Sequence, residues 1–212
     1  MKFQITRIQF LCHILCLVPF LFLVYGVLNN QLTANPVREI AIRTGRIATA
    51  ILLISLISSP LNNIFGLNSF ISIRRTLGLY AAFYASLHFA NFIGLDYGFD
   101  WIEIGKTISQ QLFLIIGLVA FLLIILLAIT SLPSLQKLLG RWWKRLHRIT
   151  YLAAFLVILH FFLAAKANLL LPEIHLFFFI ILMVLRIPPF SNIKLNIPGL
   201  SVINNFFIKN LI

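Results

Sequence analysis

Long apolar stretches are the feature that most constrains the fold of this 212-residue chain. Six of them approach the ~20 residues that a helix needs to cross a hydrocarbon core about 30 Å thick. A water-soluble fold could not bury so much apolar surface, because hydrophobic residues make up 61% of the sequence and charged residues 10%. We therefore predict an all-α integral membrane protein, a single domain over residues 1–212 with a six-transmembrane-helix bundle. The predicted spans are residues 8–28, 47–65, 77–95, 112–132, 149–165 and 174–187, followed by a tail over 188–212.

Local sequence signals predict where these helices begin and end. The first stretch follows Lys2 and Arg7, as in a signal peptide, but it exceeds the about 7–15 apolar residues of such peptides and no small-residue cleavage site follows. We therefore expect a membrane helix there. Helix ends are predicted at Asn35-Pro36, Ser59-Pro60, Leu132-Pro133, Leu171-Pro172 and Pro188-Pro189.

The charges predict the orientation of the bundle. Seventeen Lys and Arg stand against five Asp and Glu, a net charge of +12, and the basic residues flank the apolar stretches. This arrangement indicates contacts with membrane lipid, and it argues against nucleic acid as a partner. If the N-terminus is cytoplasmic, the inner segments contain twelve basic residues and no acid, chiefly through residues 137–148. The positive-inside rule then predicts that both termini face the cytoplasm.

Soluble-domain motifs for nucleotides and covalent haem do not occur in the sequence. It contains no GxGxxG in a strand–helix setting, no Walker loop and no CxxCH motif. Cys12 and Cys16 lie in the first apolar stretch and are interpreted as small apolar side chains of a helix. Any soluble redox partner is therefore expected to be a separate chain.

Two histidines inside predicted spans are the strongest functional signal. His88 lies 13 residues beyond Arg75, roughly 20 Å along a helix, and His160 lies 12 residues beyond Arg148, roughly 18 Å. The third and fifth spans run in the same direction, so the two imidazoles are expected at nearly equal depth. We predict that they form an axial pair for haem iron between helices 3 and 5. The alternative is a hydrogen bond from each ring to a neighbouring carbonyl.

A second, inner site is less well defined by the sequence. His147 precedes His160 by 13 residues, which leaves the two rings well over 90° apart on an ideal helix. The third span has Arg74 and Arg75 where a partner histidine would stand, and His13 could supply the second ligand instead. The basic segment around His147 is read either as an interfacial segment or as a binder of haem propionates, a flavin phosphate or an acidic donor. The predicted cofactor-binding residues are His88, His147, His160, His13, Arg74 and Arg75, with His88, His160 and His147 as metal ligands and no catalytic residue.

Several motifs resemble the ferric-reductase-like transmembrane domain family, and within it the stand-alone six-helix branch. The resemblance covers residues 8–187 approximately and is specific in combination. It is carried by His13 before Pro19, Asn35-Pro36-Val37-Arg38-Glu39-Ile40, Thr44-Gly45-Arg46, Ser59-Pro60, Arg74-Arg75-x-Leu77-Gly78-Leu79, Leu87-His88, Leu139-Gly140-Arg141-x-Trp143, Leu146-His147-Arg148-x-x-Tyr151 and His160.

The resemblance implies a haem b subunit of a bacterial inner-membrane system that repairs oxidised methionine in envelope proteins. It implies electron transfer to MsrP, a periplasmic molybdopterin enzyme that reduces protein methionine sulfoxide, from the quinone pool (quinol) or a cytoplasmic flavin reductase. Haem-linked histidines of the family correspond to His88, His147 and His160. One haem b is expected, with room for a second, and FMN is also associated with the family. The chain would then be an electron-transfer subunit and not a complete enzyme.

Two other functions fit parts of the sequence. A transmembrane ferric or cupric reductase would need an outer metal-capture site, for which Asp96, Asp100 and Glu103 are the candidates. A non-redox transporter would use its histidines only to bridge helices. Transporters of this size often contain internal repeats, and no repeat is evident in the sequence.

Overall fold

The protein is described by a computed structural model covering residues 5–165, 169–188 and 200–209. Three basic residues of the orientation argument, Lys2, Lys166 and Lys194, lie outside these ranges. The assigned elements in the described ranges are all helical, which confirms the all-α prediction. They are α1 (Arg7–Leu28), α2 (Pro36–Phe65), α3 (Asn68–Ala90), a π-helical turn (Asn91–Asp96), α4 (Trp101–Gln110), α5 (Leu112–Thr130), α6 (Pro133–Leu139), α7 (Arg141–Leu146), α8 (Ile149–Ala164), α9 (Leu170–Val184) and α10 (Leu200–Ile208).

Four helical segments of the described chain are long and apolar enough to cross a membrane. They are Arg7–Leu28, Pro36–Phe65, Leu112–Thr130 and Arg141–Ala164. The third predicted span corresponds to α3, whose 23 residues include Arg74 and Arg75, and the sixth corresponds to the shorter apolar helix α9. The sequence prediction of a helical protein with several apolar spans is therefore confirmed.

Three ends of the first two helices follow from local sequence chemistry. Thr6 and Gln9 form a reciprocal capping box at the start of α1. The Asn35 side chain accepts a hydrogen bond from the Arg38 backbone N–H at 3.0 Å at the start of α2. Gly66 ends α2 with a left-handed φ of 68°, a conformation that costs glycine little.

The predicted helix end at Ser59-Pro60 is wrong, because α2 continues through it. Pro60 has no backbone N–H, so the Leu56 carbonyl lacks its usual helical partner. The Arg186 guanidinium supplies that partner: it donates to the Leu56 carbonyl and to the Tyr151 hydroxyl, and it lies 4.7 Å over the Tyr151 ring. A donor from the far end of the chain therefore stabilises the helix at a residue that would otherwise break it.

Two helical hairpins form the centre of the bundle. One consists of α2 and α3, the other of α5 and α8, and α3 also packs against α5. α1 lies against α3, and α9 lies against α2 and α8. Small side chains allow the close approach of α3 and α8 to their neighbours: Ala81, Ala82, Ala153 and Ala154 are all buried. The paired hairpins therefore bring the two helices with the predicted axial histidines into one core.

Candidate cofactor site

His88 on α3 and His160 on α8 meet in the centre of the bundle. Their ring centroids are 6.3 Å apart and their planes are nearly perpendicular, at 79°. The two residues are 72 positions apart in the sequence, so only the packing of the two hairpins brings them together. Of the histidines in the described chain, this is the pair predicted from the sequence to face each other.

Hydrogen bonds fix the chemical state of both rings. His88 Nδ1 lies 2.9 Å from the Ala41 carbonyl oxygen of α2, and His160 Nδ1 lies 2.7 Å from the Phe113 carbonyl oxygen of α5. A carbonyl can only accept, so Nδ1 carries a proton in each ring, and in the neutral imidazole Nε2 then keeps its lone pair. A neutral imidazole with Nδ1–H bonded to a carbonyl is the form in which histidine ligates metals. The carbonyl bonds, named above as an alternative to ligation, thus leave Nε2 available as a ligand.

Two glycines leave room for the imidazole rings. A methyl group on Gly45 would lie 3.2 Å from both Cε1 and Nδ1 of His88. A methyl group on Gly117 would lie only 2.6 Å from Nδ1 and 2.7 Å from Cε1 of His160. Each ring is therefore seated against the bare backbone of the partner helix in its hairpin.

The two half-sites repeat one spacing along the chain. His88 and its acceptor Ala41 are separated by 47 residues, and His160 and its acceptor Phe113 are separated by the same number. In both hairpins the glycine beneath the ring follows the acceptor by four residues, which is one helical turn. This repeat was not predicted from the sequence; the equal spacing of two Gly–His pairs is the signal that could have shown it.

The distance between the rings suits two ligands on opposite sides of one metal. A metal–imidazole bond is about 2.0 Å long, and the bonding nitrogen lies roughly 1.1 Å from the ring centre, so two imidazoles that bind one metal from opposite sides have their centroids about 6.2 Å apart. The centroids of His88 and His160 are 6.3 Å apart. Perpendicular planes are compatible with this arrangement, since both rings can contain the axis through the metal. The pair therefore fits axial ligation of haem iron.

A second candidate site is a cavity of about 400 Å³ between the two hairpins, on the side where α7 joins α8. Its walls are mostly apolar, but Arg74, Arg75, Lys144 and Arg148 line it together with His147. None of the described lining residues is acidic. No acidic side chain in this described lining balances the four positive charges. A mostly apolar cavity with four cations suits a cofactor that has an apolar body and an anionic group.

His147 is held at the edge of this cavity by its neighbours. Its Nε2 lies 3.2 Å from Thr130 Oγ1, and its ring stacks on Trp143 with centroids 4.1 Å apart. The Thr130 hydroxyl already donates to the Leu126 carbonyl at 2.7 Å, so it accepts from His147 Nε2–H. The Nδ1 lone pair of His147 is then the one that remains available to a ligand.

The two remaining histidines of the described chain, His13 and His175, lie elsewhere. His13 on α1 lies 3.0 Å, through Nδ1, from the Tyr80 hydroxyl of α3, and is not among the described residues that line the cavity. His175 bonds to the Leu171 carbonyl of its own helix. The sequence prediction of His13 as a partner of His147 therefore stays a prediction.

Two of the three acids of the predicted metal-capture site, Asp100 and Glu103, have structural roles in the described chain. The Asp100 carboxylate accepts from the backbone N–H groups of Ile102 and Glu103 and so caps α4. Glu103 pairs with Lys106 at 3.8 Å. Within the described residues no three His, Cys, Asp or Glu side chains are grouped as a metal site would require. This arrangement gives no support to the predicted metal-capture site of a ferric or cupric reductase at Asp96, Asp100 and Glu103.

Comparison with known proteins agrees with this geometry. Residues 44–158 match the family described as Ferric reductase like transmembrane component. Three relatives are named protein-methionine-sulfoxide reductase heme-binding subunit MsrQ. The one from Herminiimonas arsenicoxydans is 41% identical over 74% of this chain and 73% of its own length. Those from Caulobacter vibrioides and Rhodospirillum rubrum are 33% and 35% identical, over 88% and 82% of this chain and 89% and 84% of their own lengths.

Proposed function

Because this chain belongs to the ferric-reductase-like transmembrane family, and within it to the MsrQ heme-binding subunits, we propose that it holds haem b between His88 and His160. In this proposal it passes electrons outward to MsrP, a periplasmic molybdopterin enzyme that reduces methionine sulfoxide in proteins. The chain itself would be an electron-transfer subunit and would carry no catalytic residue.

The observation that supports this proposal best is that the imidazole rings of His88 and His160 meet in the core, with their centroids 6.3 Å apart. Both rings are fixed by Nδ1–H bonds to carbonyls of the neighbouring helices, at 2.9 and 2.7 Å. When bound, haem would supply an iron that alternates between the ferric and ferrous states and so carries one electron. The chain contributes axial ligation, burial and fixed ring orientation, which are the protein's means of setting the potential.

The orientation of the electron path follows from the charges. We place the cavity lined by Arg74, Arg75 and His147 on the cytoplasmic side and the start of α2 on the periplasmic side. The six predicted spans, with α3 and α9 as the two less apolar ones, would leave both termini in the cytoplasm of an inner-membrane protein. Electrons would then enter from the quinone pool or a cytoplasmic flavin reductase and leave at the outer end.

The inner cavity is proposed to bind a second, anionic cofactor. Candidates are FMN, through its phosphate, and a second haem, through its propionates and the Nδ1 of His147. Arg74 is positioned for this role, since its guanidinium donates to Ser59 Oγ at 3.0 Å and is held at the cavity wall. A cofactor there would stand between a cytoplasmic donor and the His88–His160 pair.

Neutralising either arginine should weaken binding of an anionic cofactor. We expect Arg74→Gln and Arg75→Gln each to weaken FMN binding about tenfold, because each removes one charge-assisted hydrogen bond. The measurement is quenching of FMN fluorescence on titration with detergent-purified protein. Arg38→Gln, at the outer end of α2, is the matched control and should bind FMN like the parent. Equal FMN affinity in all three variants would exclude an FMN site at these arginines.

Two measurements test the proposed function: the visible spectrum of the purified protein, and the delivery of electrons to a methionine sulfoxide reductase. Purified protein should show a sharp b-type band in its reduced-minus-oxidised visible spectrum. In proteoliposomes with a reduced donor enclosed, it should support methionine sulfoxide reduction by a purified molybdopterin reductase added outside. A colourless protein would contradict the proposal. A haem protein that reduces external ferric chelates faster than the reductase would indicate the metal-reductase alternative.

A further inference from the structure

Three arginines form one exposed surface near the start of α2. Arg38, Arg43 and Arg46 are all exposed, and all three line the same cavity of about 370 Å³. At about 100° per residue on a regular helix, they cover a continuous arc of roughly 140°, with the exposed side chain of Ile42 between them. This surface, made by Arg38, Arg43 and Arg46, is called the arginine face below.

Acidic side chains balance the arginine face only in part. Arg43 forms an ion pair with Glu39, whose carboxylate also accepts a hydrogen bond from the Thr33 backbone N–H. Arg38 and Arg46 form no ion pair with any described residue. On the orientation proposed above this face is periplasmic, where the positive-inside rule predicts few basic residues. Its charge therefore calls for a role other than setting the topology.

The same stretch of α2 holds the ring of His88. The Ala41 carbonyl accepts a hydrogen bond from its Nδ1–H at 2.9 Å, and a methyl group on Gly45 would lie 3.2 Å from the ring. Both residues lie between Arg38 and Arg46, which are eight positions, or about 12 Å, apart along the helix axis. The imidazole therefore lies level with the arginine face, and the distance between them is about the 10–12 Å diameter of one helix.

The position of the arginine face favours a soluble partner over lipid. The predicted apolar span of α2 begins at residue 47, so Arg38 lies nine residues, roughly 13 Å along the helix, beyond it. The head-group region on each side of the hydrocarbon core is about 5–8 Å thick. Arg38 therefore extends past the head groups into water, where a soluble protein can reach it.

We propose that the soluble electron acceptor docks on the arginine face through an acidic patch of its own. This inference rests on the proposed function, which it deepens by naming the surface where the electrons leave. An acceptor on this face would approach the His88–His160 pair to about the width of one helix without entering the hydrocarbon core. Transient complexes of redox proteins bury little surface, and complementary charge speeds their formation and fixes their orientation.

The test is the rate at which the acceptor oxidises the haem. Detergent-purified protein, reduced with a stoichiometric amount of dithionite, is mixed with purified molybdopterin methionine sulfoxide reductase, and the decay of the reduced b-type band is followed by stopped flow. We expect Arg38→Glu and Arg46→Glu each to lower the second-order rate constant about tenfold at low salt, because complementary charge raises association rates by about 10–1000-fold. Added salt should bring the parent's rate constant toward that of the variants.

Lys106→Glu is the matched control for the change of net charge. Lys106 is an exposed cation on α4, which packs against α5, and its reversal should leave the rate constant as in the parent. Arg38→Lys and Arg46→Lys keep the positive charge and should keep most of the rate. Dissolved oxygen, a small neutral oxidant, should oxidise the haem equally fast in every variant. Slower oxidation by oxygen in the two glutamate variants would place their effect at the haem and overturn the inference.

The remaining outcomes separate the docking surface from the proposed function. Equal rate constants with the reductase in the parent, Arg38→Glu and Arg46→Glu would overturn the docking surface and leave lipid head groups as the anions that these arginines meet. A rate constant lowered as much in Lys106→Glu would overturn it too, since net charge alone would then explain the effect. A parent protein without a haem band, or with a band that the reductase does not oxidise, would contradict the proposed function itself.

Discussion

Replacing either His88 or His160 with alanine is expected to abolish the b-type haem band of the purified protein. Each residue would supply one of the two imidazole ligands of the iron, and the centroids of their rings lie 6.3 Å apart in the bundle. Loss of an outer-shell partner alone costs about 10–100-fold in metal affinity, so loss of a ligand should exceed about 100-fold. The measurement is the reduced-minus-oxidised spectrum per mole of protein.

His175→Ala serves as the control for general damage by histidine removal. Its Nδ1 bonds to the Leu171 carbonyl of its own helix, so its loss should leave the haem band in place. A band that survives in both His88→Ala and His160→Ala would refute axial ligation by this pair. A band lost in the control as well would point to a folding defect, which circular dichroism of the helices would reveal.

A single methyl group on Gly117 is expected to displace His160 and remove most of the haem. The added carbon would lie 2.6 Å from Nδ1, closer than real carbon contacts allow, and the ring cannot retreat without breaking its bond to the Phe113 carbonyl. Gly45→Ala brings its methyl group only to 3.2 Å from His88, so a smaller loss is expected there. We expect about a tenfold lower haem content in Gly117→Ala and about twofold in Gly45→Ala.

Gly105→Ala distinguishes this steric effect from a general effect of the substitution. Gly105 is in α4, and nothing lies within 4 Å of a methyl group placed there. Alanine in a helix is favoured over glycine by up to about 1 kcal/mol, so this variant should keep its haem and unfold no more easily. Equal haem content in all three glycine variants would mean that the rings are not seated on the glycines.

The sequence predicted the pairing of His88 with His160 because depth in a membrane can be counted along a regular helix. It also predicted the cations near His147, since long apolar spans leave few places for charge. The roles of Gly45 and Gly117 were not predicted, because a glycine that makes room for a side chain can be identified only when the helix packed against it is known. The same limit applies to the carbonyl acceptors, which carry no side-chain signature.

The continuation of α2 through Pro60 shows that a local sequence signal can also predict a feature that the structure lacks. Proline in an apolar run predicted a helix end by local rules. The helix continues because Arg186, 130 residues away from Leu56 in the sequence, donates to the Leu56 carbonyl. His13 is similar: its partner Tyr80 lies 67 residues away and on another helix. Local patterns therefore predicted the spans, whereas the partners of buried polar groups depended on tertiary packing.

The bond between Arg186 and the Leu56 carbonyl also sets an order of events during synthesis. At about 5–20 residues per second, the ribosome needs on the order of ten seconds to add the 130 residues between them. Throughout that interval the second helix would be in the bilayer with the Leu56 carbonyl unmatched, one turn before Pro60. The Leu56 carbonyl therefore stays without its donor until α9 and Arg186 have been added, and a chain that stops before residue 186 would lack this hydrogen bond in its second helix.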